Sequence, residues 1–238
     1  MVVDLSSPPV ITLGIPMPAD FPWQSYERIH RHCWPRIPPS QDWRWVQFML
    51  AWNSVAYRFA AMDERDEGYR KAFPPTNSIN LYNQEKELFG FFVTGLSTIE
   101  SYAYGTHFLL AIVHPKLFPV NNLKKIEPRF TQERLTRHLL SEPLAKTFKK
   151  LVADPQFCKW ETVRNALAHR GLPRRNVTLG KPGSDTWEVK KKHARDQFYM
   201  PLTRDLTAAR RKWLSDTLSE LLEKTLSFVE KNIPKVHQ

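Results

Sequence analysis

Arg164, Asn165 and His169 share the short segment Arg164-Asn165-Ala166-Leu167-Ala168-His169, and together they could move a proton beside a fixed positive charge. A histidine titrating near neutrality can accept a proton and return it. An arginine stays charged at any physiological pH and can stabilise negative charge as it develops next to it. On a helix, Asn165 and His169 are spaced i, i+4 and lie on one face. Arg164 is about 140° round from His169 on an ideal helix, a gap its long side chain can bridge. Ala166 and Ala168 are small and are expected to leave space around these polar groups, while Leu167 points to the core. The C-terminal end of a helix carries partial negative charge, which favours an imidazolium at His169. The structural alternative is a solvated helix arginine and a histidine that caps the last carbonyls.

The helix that must hold these residues is marked at both ends. Asp154 is a natural N-cap, Pro155 occupies the first helical position, and Gly171 with Pro173 ends it. Phe157, Trp160, Val163 and Leu167 are its expected packing residues. Positive charge follows directly: from Lys159 to Trp213 there are fourteen basic residues against five acidic ones, a net of +9 out of the chain's +11. Arg170, Arg174, Arg175, Lys190, Lys191 and Lys192 are the expected phosphate contacts. Trp187, Phe198 and Tyr199 interleave with them, either to stack on unpaired bases or to anchor this segment to the body.

The rest of the chain supplies the frame. It has 238 residues, 42% of them hydrophobic, and a pI near 9.7, which favours a polyanionic partner, with an anionic membrane surface second. Two cysteines, Cys33 and Cys158, form no metal-ligand spacing and no disulfide framework. The N-terminus lacks the pattern of a secretory signal, and no apolar run could span a bilayer, so a cytoplasmic location is expected. Prolines at 8, 9, 16, 18, 22, 35, 38 and 39 interrupt any helix and predict an extended arm over 1–41, packed on the body through Phe21, Trp23, Tyr26 and Trp34. From Asp42 the texture is helical, with Val46, Met49, Leu50, Asn53, Ala56, Tyr57 and Ala60 as the apolar row. The charged stretch Asp63 to Arg70 and Pro74-Pro75 should stop it. A second helix is expected from Asn83 to His114, its stripe Leu88, Phe92, Leu96, Ile99 and Ala103 widened by Phe89, Val93 and Tyr104. So wide an apolar surface suggests a second subunit on one side. Weaker helices are expected at Thr131 to Leu140 and Pro143 to Val152, and a long last one over Thr203 to Asn232. Val177 to Val189 reads as a small hairpin or loop.

The segment Arg164-Asn165-Ala166-Leu167-Ala168-His169-Arg170-Gly171 resembles the HEPN family (higher eukaryotes and prokaryotes nucleotide-binding domains). The family signature is an arginine, usually followed by a polar residue, then a histidine four to six residues on, late in a helix of a four- or five-helix bundle. Gly95-Leu96-Ser97-Thr98-Ile99-Glu100-Ser101-Tyr102 resembles the long second helix of such domains, where an acidic residue often faces the site, and this adds Glu100 to the catalytic candidates. The resemblance covers about 42 to 232. It implies an all-α fold, an up-and-down bundle of four to five helices over 42–238, with the Pro-rich arm and an insertion near 177–200 outside it.

The activity implied is metal-independent RNA cleavage with no cofactor. The RNA 2′-hydroxyl would attack its own phosphate, with His169 as general acid or base, Arg164 stabilising the transition state and Asn165 orienting one of them. The family also implies a homodimer with two motifs facing one cleft, and a toxin or host-defence setting with an antitoxin or regulatory partner. In antitoxin-regulated members a tyrosine follows the histidine by two positions; Gly171 stands there in this chain, which argues against the same control. A non-catalytic module binding nucleic acid or nucleotides, or a helical interaction scaffold, remains the alternative.

Overall fold

The structure is a computed structural model. It describes residues 17–34, 42–170, 172–177, 183–190 and 197–233, and the backbone but not the side chains of Asp42, His169 and Arg170. The described residues are 73% helical, with seven α-helices and a small three-stranded antiparallel sheet. The α-helices are α1 (Trp23–Cys33), α2 (Asp42–Lys71), α3 (Ser78–Val113), α4 (Pro128–His138), α5 (Pro143–Ala153), α6 (Pro155–Arg170) and α7 (Leu206–Asn232). The strands are β1 (Arg174–Asn176), β2 (Thr186–Lys190) and β3 (Gln197–Pro201), in the order β1-β2-β3. No helix among the described residues is long and apolar enough to cross a membrane. The described residues form two compact units, the first drawn from the ranges 1–60, 98–152 and 215–238 and the second from 61–97 and 153–214.

In the first unit, the arm is not extended throughout. The proline-free stretch after Pro22 forms α1, because Tyr26, Ile29 and Cys33 fall at i, i+3 and i+7 and all three are buried. Tyr26 and Trp52 of α2 lock together: the Tyr26 hydroxyl donates to Trp52 O (2.9 Å), Trp52 Nε1 donates to Tyr26 O (3.2 Å), and the rings stack 5.3 Å apart. Each buried polar group is thereby satisfied by the other residue's backbone. Tyr102 of α3 does the same against α7, its hydroxyl bonding Leu221 O and Thr225 Oγ1.

The buried face of α2 keeps Ala56 and Ala60 of the expected row but otherwise differs from it. Trp45, Phe48, Trp52, Val55, Phe59 and Met62 are buried, whereas Val46, Leu50 and Tyr57 are about half exposed or more. Two apolar rows compete on this helix, and the one with the large aromatic rings removes more area from water. Nor does the charged stretch end α2. It runs on to Lys71, with Asp66–Arg70 and Glu67–Lys71 paired at i, i+4 and with Met62, Asp66 and Tyr69 turned inward.

The second unit is built around Trp160 of α6. Its indole Nε1 donates to Phe92 O (2.9 Å), and its ring stacks on Phe91 at 5.5 Å. α3 and α6 approach so closely at Gly95 that a Cβ there would overlap the Trp160 ring and press on Met62 Sδ. A rigid indole cannot step aside as a flexible side-chain end could. Gly95→Ala is therefore expected to destabilise the protein by about 1–3 kcal/mol, read as a lowered midpoint in denaturant unfolding. The α3 stripe Leu88, Phe92, Leu96, Ile99 and Ala103 is buried as expected, although α3 begins five residues earlier than the periodicity indicated. Leu214, Leu218, Leu221, Thr225 and Phe228 of α7 are buried as well.

Candidate functional site

α6 presents the motif. Asp154 caps the helix as expected: its Oδ1 accepts from Gln156 N (2.6 Å), while Oδ2 accepts from Trp213 Nε1 (3.1 Å). Phe157, Trp160, Val163 and Leu167 bury one side of the helix. That anchorage leaves Arg164 and Asn165 half-buried on the remaining surface, where Arg164 Nη1 donates to Asn165 Oδ1 at 2.9 Å. The guanidinium is thus turned along the helix by its own neighbour. Ala168 is exposed and leaves open space, but Ala166 is buried and belongs to the packed side, not to a cleft. The helical backbone continues through His169 and Arg170, whose side chains lie outside the description, as does Gly171.

Glu100 does not belong to the unit that carries the motif. It sits on the α3 segment of the first unit, where it lines an open cavity together with Arg58. The carboxylate that the second unit does place beside the segment following α6 is Glu85, which lies outside the motif and far from it in the chain. Glu85 Oε1 accepts from Arg175 Nη1 (2.8 Å) and from Trp187 Nε1 (3.1 Å). Arg175 also holds Asp185 Oδ2 with both Nε (2.9 Å) and Nη2 (2.6 Å). Its side chain is only 10% exposed, so Arg175 is a buried structural cation, not a phosphate contact. Pairing two carboxylates at once is the condition under which an arginine is kept inside.

The sheet sorts the remaining candidates by its two-residue alternation. The hairpin expected around Val177 to Val189 is β1 with β2, Arg175 standing opposite Trp187, and β3 adds a strand that the sequence pattern did not reveal. The inner face carries Trp187, Val189 and Met200, all buried. Trp187 is therefore an anchor packed near Phe92, not a base-stacking ring. The outer face carries Arg174, Lys190 and Tyr199, all exposed, with Glu188 half-buried among them. Lys190 Nζ lies 3.8 Å from Glu188 Oε1, and the Tyr199 hydroxyl accepts from Gln197 Nε2. Phe198 is half-buried. Lys191 and Lys192 lie outside the described residues.

Two further basic residues of this segment turn inward. Arg210 lies over the Phe92 ring at 5.2 Å, and burial pushes its pKa down to about 10, which still leaves it charged at neutral pH. Arg211 pairs with Asp63 and Asp66, and Thr207 Oγ1 donates to Asp66 Oδ1 at 2.6 Å. The net of +9 consequently overstates the positive field outside. Lys159, Arg174, Lys190, Arg204 and Lys212 are the exposed cations among the described residues of the segment. Among the described residues no group of three or more His, Cys, Asp and Glu side chains is placed to hold a metal ion. No protein-family model, curated protein or solved structure matches this chain, so the functional reading rests on its residues and their placement.

Proposed function

We propose that the second unit is a HEPN-like endoribonuclease site, with Arg164 and His169 as catalytic residues and Asn165 as a positioning residue. The observation that carries the reading is the state of α6. Its core-facing side is fully engaged, and the Arg164–Asn165 pair stands clear of that packing on the last turns of a capped helix. Such placement suits chemistry on an approaching chain, because Phe157, Trp160, Val163 and Leu167 already supply the packing of α6. RNA would cross the helix end and the outer face of the sheet, with Arg174 and Lys190 on phosphates and Tyr199 beneath an unpaired base. In the cleavage step the 2′-oxygen bonds to phosphorus as the 5′-oxygen leaves. His169 takes the 2′-proton or returns one to the leaving oxygen, and Arg164 offsets the charge on the phosphorane oxygens.

Binding is expected to weaken steeply as salt rises, because the phosphate contacts release counterions. Tyr199→Ala should weaken single-stranded RNA binding by about 1–3 kcal/mol with little sequence preference. Neutralising Lys190, Lys191 and Lys192 together should lower affinity for all RNA sequences alike. Fluorescence anisotropy with two unrelated oligonucleotides reads both effects. Unchanged affinity in both variants would remove the sheet from the binding surface.

We also propose a homodimer that brings two motifs to one cleft. In the second unit Ile79, Tyr82 and Phe89 stand in one row on α3, at i, i+3 and i+10, and are 70%, 66% and 42% exposed. An exposed apolar row of this kind is a surface that a second copy would cover. Light scattering at tens of micromolar should give the mass of a dimer, and a strict monomer there would contradict the shared site. The same row favours the interaction-scaffold alternative, which predicts association without any cleavage.

A further inference from the structure

In the first unit, His107 of α3 is fully buried and both of its ring nitrogens are engaged. Nε2 lies 3.2 Å from Pro119 O, and Nδ1 lies 3.4 Å from Thr131 Oγ1. A carbonyl can only accept, so Nε2 carries the proton and Nδ1 accepts from the threonine hydroxyl. Only the neutral imidazole can make both bonds in this sense. They tie together α3, the turn that carries Phe118 and Pro119, and α4 through Thr131. The packing around them is apolar: Phe118 meets the imidazole edge-on at 5.6 Å, and Phe130 lies against it at 5.5 Å.

A proton on Nδ1 would set a second donor against the Thr131 hydroxyl and bring a positive charge into this apolar surrounding. Burial accordingly pushes the His107 pKa from the ordinary 6.5 down to about 4, and the charge of Arg134 acts in the same direction. Arg134 of α4 lies over the Phe130 ring at 5.3 Å, and its Nε is buried without a hydrogen-bond partner. The other titratable groups of the surrounding elements face elsewhere. His138 of α4 is edge-on to Phe118 at 6.4 Å, and His114 lies against Phe228 of α7. Glu127, Glu133 and Lys116 are exposed, with Glu133 held by Arg137.

We propose that His107 is an acid-operated latch: its neutral imidazole fastens α4 and the turn before it to α3, and protonation releases them. Release lays bare Phe118, Ile126 and Leu135, which are buried while the latch is closed. The proposal is independent of the ribonuclease reading.

Amide hydrogen exchange of the full chain, corrected for the pH dependence of the intrinsic rate, tests it. The opening equilibrium of residues 117–138 should rise about 30-fold between pH 7.5 and pH 5, because the open state takes up a proton that the closed state refuses. The rise begins as pH falls through 6.5 and ends near 4, where the closed state is protonated too. Helix α6 should show no such rise. His107→Gln retains an N–H for Pro119 O but cannot take up a proton. It should open more readily at neutral pH and then change by less than about threefold over the same range. Arg134→Met keeps packing over Phe130 and removes the charge, so it should shrink the acid response without abolishing it. If His107→Gln does not fold, NMR of the wild-type His107 ring decides, and the ring should still be neutral at pH 5. The proposal is overturned by a wild-type opening equilibrium that ignores pH, by an equal acid response in His107→Gln, by an equal rise in α6, or by an imidazole that protonates in the folded protein at its ordinary pKa.

Discussion

His169→Ala and Arg164→Ala should each lower RNA cleavage by about two to four orders of magnitude while melting at the wild-type temperature. The size follows from the chemistry. Losing a proton-transfer group typically costs about 10²–10⁴-fold in rate, and losing a cation beside developing charge costs a comparable factor. The neutrality toward stability follows from α6. Phe157, Trp160, Val163 and Leu167 supply its packing, and Arg164 is half-buried with its guanidinium on Asn165, so truncation there opens no apolar cavity. Asn165→Ala should be milder than either, because it removes a group that orients Arg164 and transfers nothing. Thermal melting and cleavage rates on the same preparations decide the matter. Two variants that melt like wild type and cut at full rate would reduce the motif to an ordinary helix end. Two unfolded variants would make both residues structural.

Arg175→Met should act the opposite way, lowering stability by about 3–5 kcal/mol without a specific effect on RNA binding. Removing the guanidinium takes from Glu85 and Asp185, whose side chains are 14% and 10% exposed, the cation that both of them hold. A methionine of similar length fills the space but cannot answer the charge. The triple variant Arg175→Met with Glu85→Gln and Asp185→Asn should recover much of the loss, because no unpaired buried charge then remains. Urea unfolding of the single and triple variants gives both numbers. If the single variant is as stable as wild type but binds RNA poorly, Arg175 is a surface contact after all and the buried network has been misassigned.

What the sequence revealed, and what it hid, divides along physical lines. α6 was legible because its signals are local: Asp154 and Pro155 at one end, and a run of packing residues within sixteen positions. α1 is legible in principle, although the prolines around it point to an extended arm. Pro22 and Pro35 flank a stretch with no proline inside it, and Tyr26, Ile29 and Cys33 already mark a helical row. On α2 the apolar periodicity was real but degenerate, since Val46, Leu50 and Tyr57 make a row as regular as the aromatic one that is buried. Only packing against other elements chooses between two such rows.

The candidate site shows the same division. Arg164, Asn165 and His169 lie within two turns and could be picked out from spacing, whereas the bond from Arg164 to Asn165 could not, since adjacent helix residues do not face each other. The inward turn of Arg175 could not, because its partner Glu85 is ninety positions away in the chain. The same holds for Arg211, paired across 148 positions with Asp63, and for Trp187, whose indole reaches Glu85 across 102. Counting basic residues in a window treats all of them as surface, and long-range pairing removes several. The alternation of the sheet supplies the one local rule that recovers part of the answer, since it leaves Arg174, Lys190 and Tyr199 outside and takes Trp187 in.

The central claim is that this chain cuts RNA through Arg164 and His169 without a metal. The most direct measurement is incubation of the purified protein with a mixed-sequence RNA in excess chelator, followed by analysis of the new ends. The account predicts cleavage that the chelator does not slow, with products ending in a 2′,3′-cyclic phosphate and a free 5′-hydroxyl, and none of it in the His169→Ala protein. Cleavage that vanishes with chelator, products bearing a 5′-phosphate, or equal cutting by wild type and His169→Ala would contradict it.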